Sequence, residues 1–317
     1  MRRDRRAWGN RGMPRTAPDR RRPSATAELI ALSAVYLSWD ARLAPVLPAG
    51  AAAVSERFLR VTSPRRLLLF RQLSRPGARM VLRTLERAVL PGITLHYAVR
   101  KRFIEDVVCE FVTAGGRQLV VLGAGLDTLA YRLARAHPGL TAVELDDPAG
   151  HHRKQQAVAG VPASNLHLAA GDLAGTPVGE LLSAVPGFRP HRPTFFILEG
   201  VTMYLSAAGV AALLRSAAMA GGPGSRIAWT FLQPDRDGRL GFARSRRGLV
   251  NAWLASRGER FGWGIAANQL AGFLPPLGLR LIRIVGANEL RARYLAPAGI
   301  DHALATGEWI CLCEVPR

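Results

Sequence analysis

The chain is predicted to fold as an α/β protein with a doubly wound, mostly parallel sheet, and three observations predict this fold. From Gln118 onward, short apolar segments alternate with segments of helical periodicity. The apolar segment 119–122 stops at a Gly-Ala-Gly turn at 123–125. An acid pair, Glu144 and Asp146, lies at the end of the next apolar segment. Strand, glycine turn, helix, strand and acid in this order are typical of a nucleotide-binding βαβ unit.

The first third of the chain is predicted to contain a tail and a helical cap. Residues 1–23 are rich in Arg, Pro and Gly, and this composition predicts a disordered basic tail. Pro64, Pro76 and Pro91-Gly92 then divide residues 24–114 into segments of helical pattern. The predicted helices of this cap are 25–37, 50–61, 65–75, 77–90 and 98–113.

Residues 115–317 are predicted to form a sheet domain with seven strands. Strands that alternate with helices indicate a parallel sheet covered on both faces. Residues 233–264 carry charges, glycines and four large aromatics, and we interpret them as an insertion over the site, after the fifth strand. The last two strands are expected to pair as a hairpin-like return at one edge. The predicted strands are 118–122, 140–145, 165–169, 194–199, 225–231, 278–285 and 307–315, and the helices between them are 126–136, 149–158, 206–219 and 266–274.

The glycine turn favours one class of nucleotide cofactor over another. Gly123 and Gly125, on either side of Ala124, allow a tight turn that a ligand can approach closely. Thr128 stands where a dinucleotide-binding fingerprint has its third glycine, and Asp127 would repel a pyrophosphate beside the helix N-terminus. S-adenosyl-L-methionine has no phosphate and carries a sulfonium and an ammonium. We therefore predict S-adenosyl-L-methionine, rather than a dinucleotide, as the cofactor.

Acidic residues follow the predicted strands at the positions where a ligand would bind. In open parallel sheets, ligands bind beyond the carboxyl ends of the strands. Asp146 ends the second strand, Asp172 follows the third and Glu199 ends the fourth, so all three should meet the glycine turn in one crevice. Asp146, with Glu144 beside it, is expected to hold the ribose hydroxyls. Asp172 and the backbone of Leu173 are expected to bind the adenine amino group, and Glu199 should lie near the cofactor's ammonium or sulfonium.

Six segments share their residue pattern with a known family. They are His96-Tyr-Ala-Val-Arg-Lys-Arg-Phe103, Gly123-Ala-Gly-Leu-Asp-Thr-Leu-Ala-Tyr-Arg-Leu133, Glu144-Leu-Asp-Asp-Pro148, Gly171-Asp-Leu173, Glu199-Gly-Val-Thr-Met-Tyr-Leu205 and Pro223-Gly-Ser225. In residues and order they resemble the leucine carboxyl methyltransferase-like family of class I S-adenosylmethionine-dependent O-methyltransferases, in its bacterial polyketide and peptide natural-product branch. The resemblance implies a Rossmann-like methyltransferase sheet. It also implies that Arg100 pairs with the cofactor's carboxylate, which the fork of a guanidinium fits.

Tyr204 and His96 are the candidate catalytic residues. Tyr204 follows the fourth strand and is the best candidate to contact the methyl acceptor, with a core tyrosine as the alternative. None of the seven histidines lies in 199–205, and His96 in the cap is the nearest by motif. A carboxylate acceptor is already ionised at neutral pH and needs no base. A phenol or alcohol acceptor would benefit from one.

The sequence leads to three hypotheses about function. The leading hypothesis is an O-methyltransferase that converts a carboxylate of a small-molecule or peptide natural product to a methyl ester. In the second, the enzyme methylates a hydroxyl of a secondary metabolite. In the third, the chain is a non-catalytic nucleotide- or RNA-binding protein that uses its basic tail.

Composition limits the partners and the compartment. The formal net charge is +20, and 41 of the 43 basic residues are arginine. Only residues 1–23 are densely basic, so nucleic acid is not the expected partner. An anionic substrate and an arginine-rich proteome are the other interpretations of the basic charge.

The three cysteines, Cys109, Cys311 and Cys313, have no zinc-like spacing, and we predict no metal site. No apolar run is long enough to span a membrane, so no membrane partner and a cytoplasmic location are expected.

Overall fold

A computed structural model of the protein describes residues 24–161 and 163–317. The predicted basic tail, residues 1–23, lies outside the described residues. The described α-helices are α1 (Ala25–Ser38), α2 (Ala51–Thr62), α3 (Pro64–Gln72), α4 (Pro76–Val89), α5 (Ile93–Thr113), α6 (Leu129–Ala136), α7 (Pro148–Val158), α8 (Val178–Ser183), α9 (Ala207–Ala220), α10 (Arg247–Ala255), α11 (Leu270–Phe273) and α12 (Ala287–Leu290). The described strands are β1 (Gln118–Leu122), β2 (Thr141–Asp146), β3 (Leu166–Ala170), β4 (Phe195–Leu198), β5 (Arg226–Leu232), β6 (Arg280–Val285) and β7 (Glu308–Glu314).

The strands form one sheet in the order β3-β2-β1-β4-β5-β7-β6. Strands β1 to β5 pair in parallel, and β7 runs antiparallel to both β5 and β6. The last two strands therefore pair as expected, with β7 entering the sheet between β5 and β6. The predicted fold class, a mostly parallel α/β sheet of seven strands, is confirmed.

The side chains of β1 show why this sheet is buried on both faces. Leu119 and Val121 pack in one apolar cluster with α5 and α6. Val120 and Leu122 pack in a second cluster with α8 and α9. Because successive side chains of a strand point to opposite faces, a strand with helices on both sides is apolar along most of its length. The second cluster also contains two cysteines of β7, Cys311 and Cys313.

Several elements differ from the sequence prediction at their ends. Helix α6 begins at Leu129 rather than at 126, because the glycine turn continues until the Asp127 carboxylate accepts a hydrogen bond of 2.6 Å from the Leu129 amide. Helix α5 begins at Ile93 rather than at 98, directly after Gly92, whose φ of 72° is left-handed. Two short helices, α8 and α10, lie in segments predicted as loop and insertion. Helix α5, which was predicted as part of the cap, packs against the sheet.

Three helices lie near the carboxyl ends of the strands and frame the site. Residues of α1, α4 and α10 line one cavity together with residues at the ends of β1, β2 and β4. Helix α4 has no fully buried residue and is tied to the body by ion pairs, including one of 3.3 Å between Arg79 and Asp40. Among the described residues, no helix combines the length and apolar character needed to cross a membrane.

Candidate functional site

The cavity at the carboxyl ends of β1, β2 and β4 has a volume of about 910 Å³. Most of the predicted site residues line it, namely Arg100, Gly123, Ala124, Gly125, Asp127, Asp146, Asp172, Leu173, Glu199 and Tyr204. Two predicted residues, His96 and Glu144, are not part of its lining and are almost fully buried. Convergence at the strand ends thus brings together residues that are distant in sequence.

The glycine turn after β1 requires glycine at its first position. Gly123 has a φ of 73°, which residues with a side chain rarely adopt. A Cβ at Gly123 would also lie 2.6 Å from a methyl carbon of Val201, which is a steric clash. Gly125 has a φ of 50° and is similarly close to Ala27 of α1. The turn therefore presents bare backbone to the cavity.

Asp146 is held at the end of β2 by backbone amides. Its Oδ2 accepts a hydrogen bond of 2.7 Å from Gly125, and its Oδ1 accepts one of 2.8 Å from Asp147. Burial raises the pKa of this carboxyl, and the two hydrogen bonds oppose the rise. A Cβ on Gly150 would lie 2.5 Å from the carboxylate, so glycine there leaves room for it. The carboxylate is thereby fixed beside the glycine turn and can accept further hydrogen bonds from a ligand.

Glu144 is buried and does not line the cavity. It forms an ion pair of 2.8 Å with Lys154 of α7, and both side chains are buried. Burial raises the pKa of the Glu144 carboxyl, although Lys154 opposes this shift. Lys154 also donates to the carbonyl oxygen of Asp127. Glu144 thus links β2 to α7 and the glycine turn, and its predicted role in cofactor binding stays a prediction.

Arg100 lies between two carboxylates and is almost fully buried. Its Nε and Nη2 donate to Glu199 Oε1 at 3.0 and 2.6 Å, and its Nη1 donates to Glu308 Oε2 at 2.6 Å. His96 Nε2 lies 2.9 Å from the same oxygen of Glu308. The guanidinium fork that the resemblance assigned to the cofactor's carboxylate is therefore engaged by the protein's own acids.

The ion pairs of this network determine its protonation states. Burial alone would raise the pKa of Glu308, but Arg100 and His96 lower it to about 2. Burial alone would lower the pKa of Arg100, but Glu308 and Glu199 hold it above its ordinary value. The pair Arg100–Glu308 is consequently charged at neutral pH inside the protein.

Lys101 is the second cation of the site and pairs with two residues at the strand ends. Its Nζ forms an ion pair with Asp127 and lies 3.0 Å from Glu199 Oε1. Burial would raise the pKa of Asp127, but Lys101 holds it well below its ordinary value. Asp127 and Glu199, both predicted from the sequence, are thus brought together by a lysine that the sequence analysis did not single out.

The opposite wall of the cavity is built from α1, α4, α10 and the loop after α10. The Tyr204 ring packs against Phe261 of this loop, with 5.9 Å between ring centroids. Glu259 of the same loop accepts a hydrogen bond of 3.1 Å from the Ala25 amide and another from the Thr26 hydroxyl. Burial raises the pKa of the Tyr204 phenol, which stays protonated at neutral pH. Several residues of the predicted insertion, among them Trp253 and Glu259, thus line the cavity, and its substrate-side role stays a prediction.

Sequence reasoning missed several charged residues of the site, among them Glu308, Lys101 and Glu259. Glu308 opens β7, Lys101 follows Arg100 in α5, and Glu259 lies in the insertion. Glu308 is the first residue of a strand that is otherwise mostly apolar, and an acid at that position is the one signal that could have indicated it. Glu259 and Lys101 stand in charged segments, where a solvent-exposed role is the ordinary expectation.

Residues 54–218 match the family described as leucine carboxyl methyltransferase. A protein of Saccharopolyspora erythraea is 32% identical over 218 residues, which are 62% of this chain and 75% of that protein. A protein of Mycobacterium tuberculosis is 40% identical over 134 residues, which are 41% of this chain and 38% of that protein, so the match spans less than half of that relative. Both are named "Putative S-adenosyl-L-methionine-dependent methyltransferase".

A solved structure has the same fold. The crystal structure of a protein from Thermobifida fusca, named "putative methyltransferase", superposes with a TM-score of 0.53 at 17% identity, covering 83% of this chain and 94% of that chain. At this identity the likeness shows the fold alone. The family match runs from α2 to α9 and includes the glycine turn, Asp146 and Glu199. As its motifs predicted, the chain belongs to the leucine carboxyl methyltransferase family.

Proposed function

We propose that this protein is an S-adenosyl-L-methionine-dependent methyltransferase that methylates an oxygen atom of a small molecule or peptide. One observation carries the proposal: the glycine turn, Asp146 and Glu199, from the ends of three strands, line a single cavity. Family membership and the names of the relatives in Saccharopolyspora and Mycobacterium support the same cofactor.

The residues of the cavity fit this cofactor. The bare backbone at Gly123 admits a ligand at close range, and the oriented Asp146 carboxylate can accept hydrogen bonds from ribose hydroxyls. Asp172 and Leu173 also line the cavity, where the sequence prediction assigns them to the adenine. When bound, S-adenosyl-L-methionine supplies an electrophilic methyl group on a positively charged sulfur.

The charges around the cavity match a cationic ligand better than an anionic one. Eight acidic residues line it, namely Glu86, Asp127, Asp146, Asp147, Asp172, Glu199, Glu259 and Glu308. The described lining contains three cationic residues, Arg100, Lys101 and Arg153. A dinucleotide pyrophosphate would be repelled by this surplus of acids, whereas a sulfonium and an ammonium would be stabilised.

Two kinds of acceptor oxygen agree with the proposal. A carboxylate, which the sequence analysis favours, is supported by the description of the matching family and needs no proton removed. A hydroxyl is the second candidate. The specific observation in its favour is that Glu259 lines the cavity, on the loop that packs against Tyr204. The Glu259 carboxylate could accept the proton of the hydroxyl.

Calorimetric titration with S-adenosylhomocysteine and with NAD tests the proposed cofactor. We expect saturable binding of S-adenosylhomocysteine and no binding of NAD at the same concentrations. Binding of NAD alone would refute the proposal. Incubation with S-adenosylmethionine labelled in its methyl group, followed by mild alkali, then distinguishes the acceptors, because a methyl ester releases methanol whereas a methyl ether is stable.

A further inference from the structure

The part of the cavity away from the strand ends is predominantly apolar. We call this part the acceptor compartment, and it is bounded by α1, α4, α10 and the loop after α10. Its apolar walls come from three helices and include Leu29, Ile30, Leu85, Leu249, Val250 and Trp253. An apolar pocket with few polar groups binds ligands that are themselves largely apolar, and its polar groups determine their orientation.

No cation of the described lining is available to a second ligand's carboxylate. Arg100 is engaged by Glu199 and Glu308, as described above. Lys101 is engaged by Asp127 and Glu199. Arg153 lies 2.9 Å from Glu28, a buried acid of α1. A carboxylate acceptor would therefore enter a cavity rich in acids in which the described residues offer it no unpaired positive charge, and such burial is costly.

Two carboxylates belong to the acceptor compartment itself. Glu86 of α4 accepts a hydrogen bond of 3.2 Å from the Thr94 amide, and burial raises its pKa. Glu259 accepts a hydrogen bond from the Thr26 hydroxyl, and Phe261, two residues further along the same loop, packs against the Tyr204 ring. Tyr97 packs with its ring 4.9 Å from the Arg100 guanidinium. Glu259 is thus the carboxylate of the compartment whose loop packs against Tyr204.

We propose that the methyl acceptor is an uncharged, largely apolar hydroxyl compound, and that Glu259 accepts its proton; the inference rests on the proposed function. In the transfer, the acceptor O–H bond breaks and its proton goes to the Glu259 carboxylate. The acceptor oxygen forms a bond to the methyl carbon, and the bond from that carbon to sulfur breaks with its electron pair left on sulfur. The products are a methyl ether and S-adenosylhomocysteine.

The two catalytic candidates from the sequence are less suited to accept this proton. His96 is outside the lining and bonds to Glu308 behind Arg100. Tyr204 does line the cavity, but burial raises the pKa of its phenol, so it is protonated and can donate a hydrogen bond rather than accept a proton. Tyr204 would orient the acceptor oxygen, and Glu259 would take up the proton.

Binding of two matched probes tests the acceptor class directly. 1-Naphthol and 1-naphthoate share one ring system, and at pH 7 the first is neutral and the second is ionised. Titration of each into the protein with saturating S-adenosylhomocysteine should give at least about tenfold tighter binding of the naphthol. Equal or tighter binding of the naphthoate would overturn the proposal. If S-adenosylhomocysteine itself does not bind, the proposed function fails, and the two probes can still be compared without it.

Glu259→Gln tests the residue. Ala25 and Thr26 donate to different oxygens of Glu259, so the amide keeps one of these two hydrogen bonds, carries no charge and takes up no proton. We expect the affinity for S-adenosylhomocysteine to stay within about twofold and the preference for naphthol over naphthoate to fall several-fold. The rate of methyl transfer should lose the limb of its pH profile that depends on the base. Glu86→Gln is the matched control and should keep that limb. An unchanged preference and an unchanged pH profile in Glu259→Gln would refute the role of this carboxylate.

Discussion

The cofactor side of the cavity and its acceptor side are held in place by different kinds of structure. On the cofactor side, residues at the ends of β1 and β4 follow strands in which every residue is buried. On the acceptor side, α4 has no fully buried residue, and α10 has one, Leu254. The strand ends fix the groups that we propose bind the cofactor. Helix α1, with seven buried residues, is held more firmly. The loosely packed α4 and α10 can differ in sequence without disturbing the strand ends, which suits a variable acceptor.

The charge of the cavity also differs from that of the chain as a whole. The chain carries a formal net charge of +20, yet acids outnumber cations in the described lining of the cavity. Arg100 and Lys101 are retained there as partners of acids, so their charges are already compensated. Overall charge is therefore a poor guide to the charge of a substrate in this protein.

Arg100→Met should show how strongly the centre of the site depends on its buried ion pairs. Removal of the guanidinium leaves Glu199 and Glu308 without their main partner, and breaking a buried pair costs roughly 3–5 kcal/mol of unfolding free energy. Urea unfolding at pH 7 measures the loss. Arg291→Met, which removes the exposed pair with Asp301, is the control and should cost under about 1 kcal/mol.

The stability lost in Arg100→Met should depend on pH, and this dependence is a second test of the ion pair. Glu308 has a folded-state pKa of about 2 against an ordinary value of 4.5, so its pairing stabilises the fold above pH 4.5 and ceases to do so as the pH falls towards 2. The difference in stability between wild type and Arg100→Met should therefore narrow over that range. A difference in unfolding free energy that is small at pH 7, or constant down to pH 2, would show that the ion pair of Arg100 with Glu308 does not stabilise the fold.

Gly123→Val should remove cofactor binding while the sheet persists. The new side chain requires a left-handed backbone and meets Val201 at the cavity wall. We expect S-adenosylhomocysteine affinity to fall at least about 100-fold, which is about 2.8 kcal/mol, with circular dichroism unchanged. Gly139→Ala is the control, since its Cβ would have no neighbour within 4 Å. Normal binding by a folded Gly123→Val protein would show that the turn does not face the ligand.

Asp146→Ala should weaken binding less, because only one group of the cofactor loses its partner. Loss of charge-assisted hydrogen bonds to the ribose predicts a decrease of roughly 1–3 kcal/mol in binding free energy. Asp146→Asn keeps one accepting oxygen and should fall between Ala and wild type. Calorimetry with S-adenosylhomocysteine gives all three values, and equal affinities would exclude Asp146 from the cofactor site.

The cofactor side could be predicted from the sequence because its signals are local. A glycine turn after an apolar run and an acid after the next run are read within short segments, and parallel topology brings their ends together. The ion-pair network could not be predicted in this way. Arg100 and Glu308 are 208 residues apart, and Thr26 and Glu259 are 233 apart. Such pairs follow from the packing of α1, α5 and β7, for which no short motif gives a signal.

Glu144→Gln should have the smallest effect on cofactor affinity and separates the two acids of β2 that the sequence analysis grouped together. Asp146 ends the strand and lines the cavity, whereas Glu144, two residues earlier, is buried against Lys154. Affinity for S-adenosylhomocysteine should therefore change by less than about twofold. Unfolding free energy should fall, because Lys154 loses its carboxylate partner. A loss of affinity as large as that of Asp146→Ala, with stability unchanged, would instead place Glu144 in the cofactor site, as its position in the motif predicts.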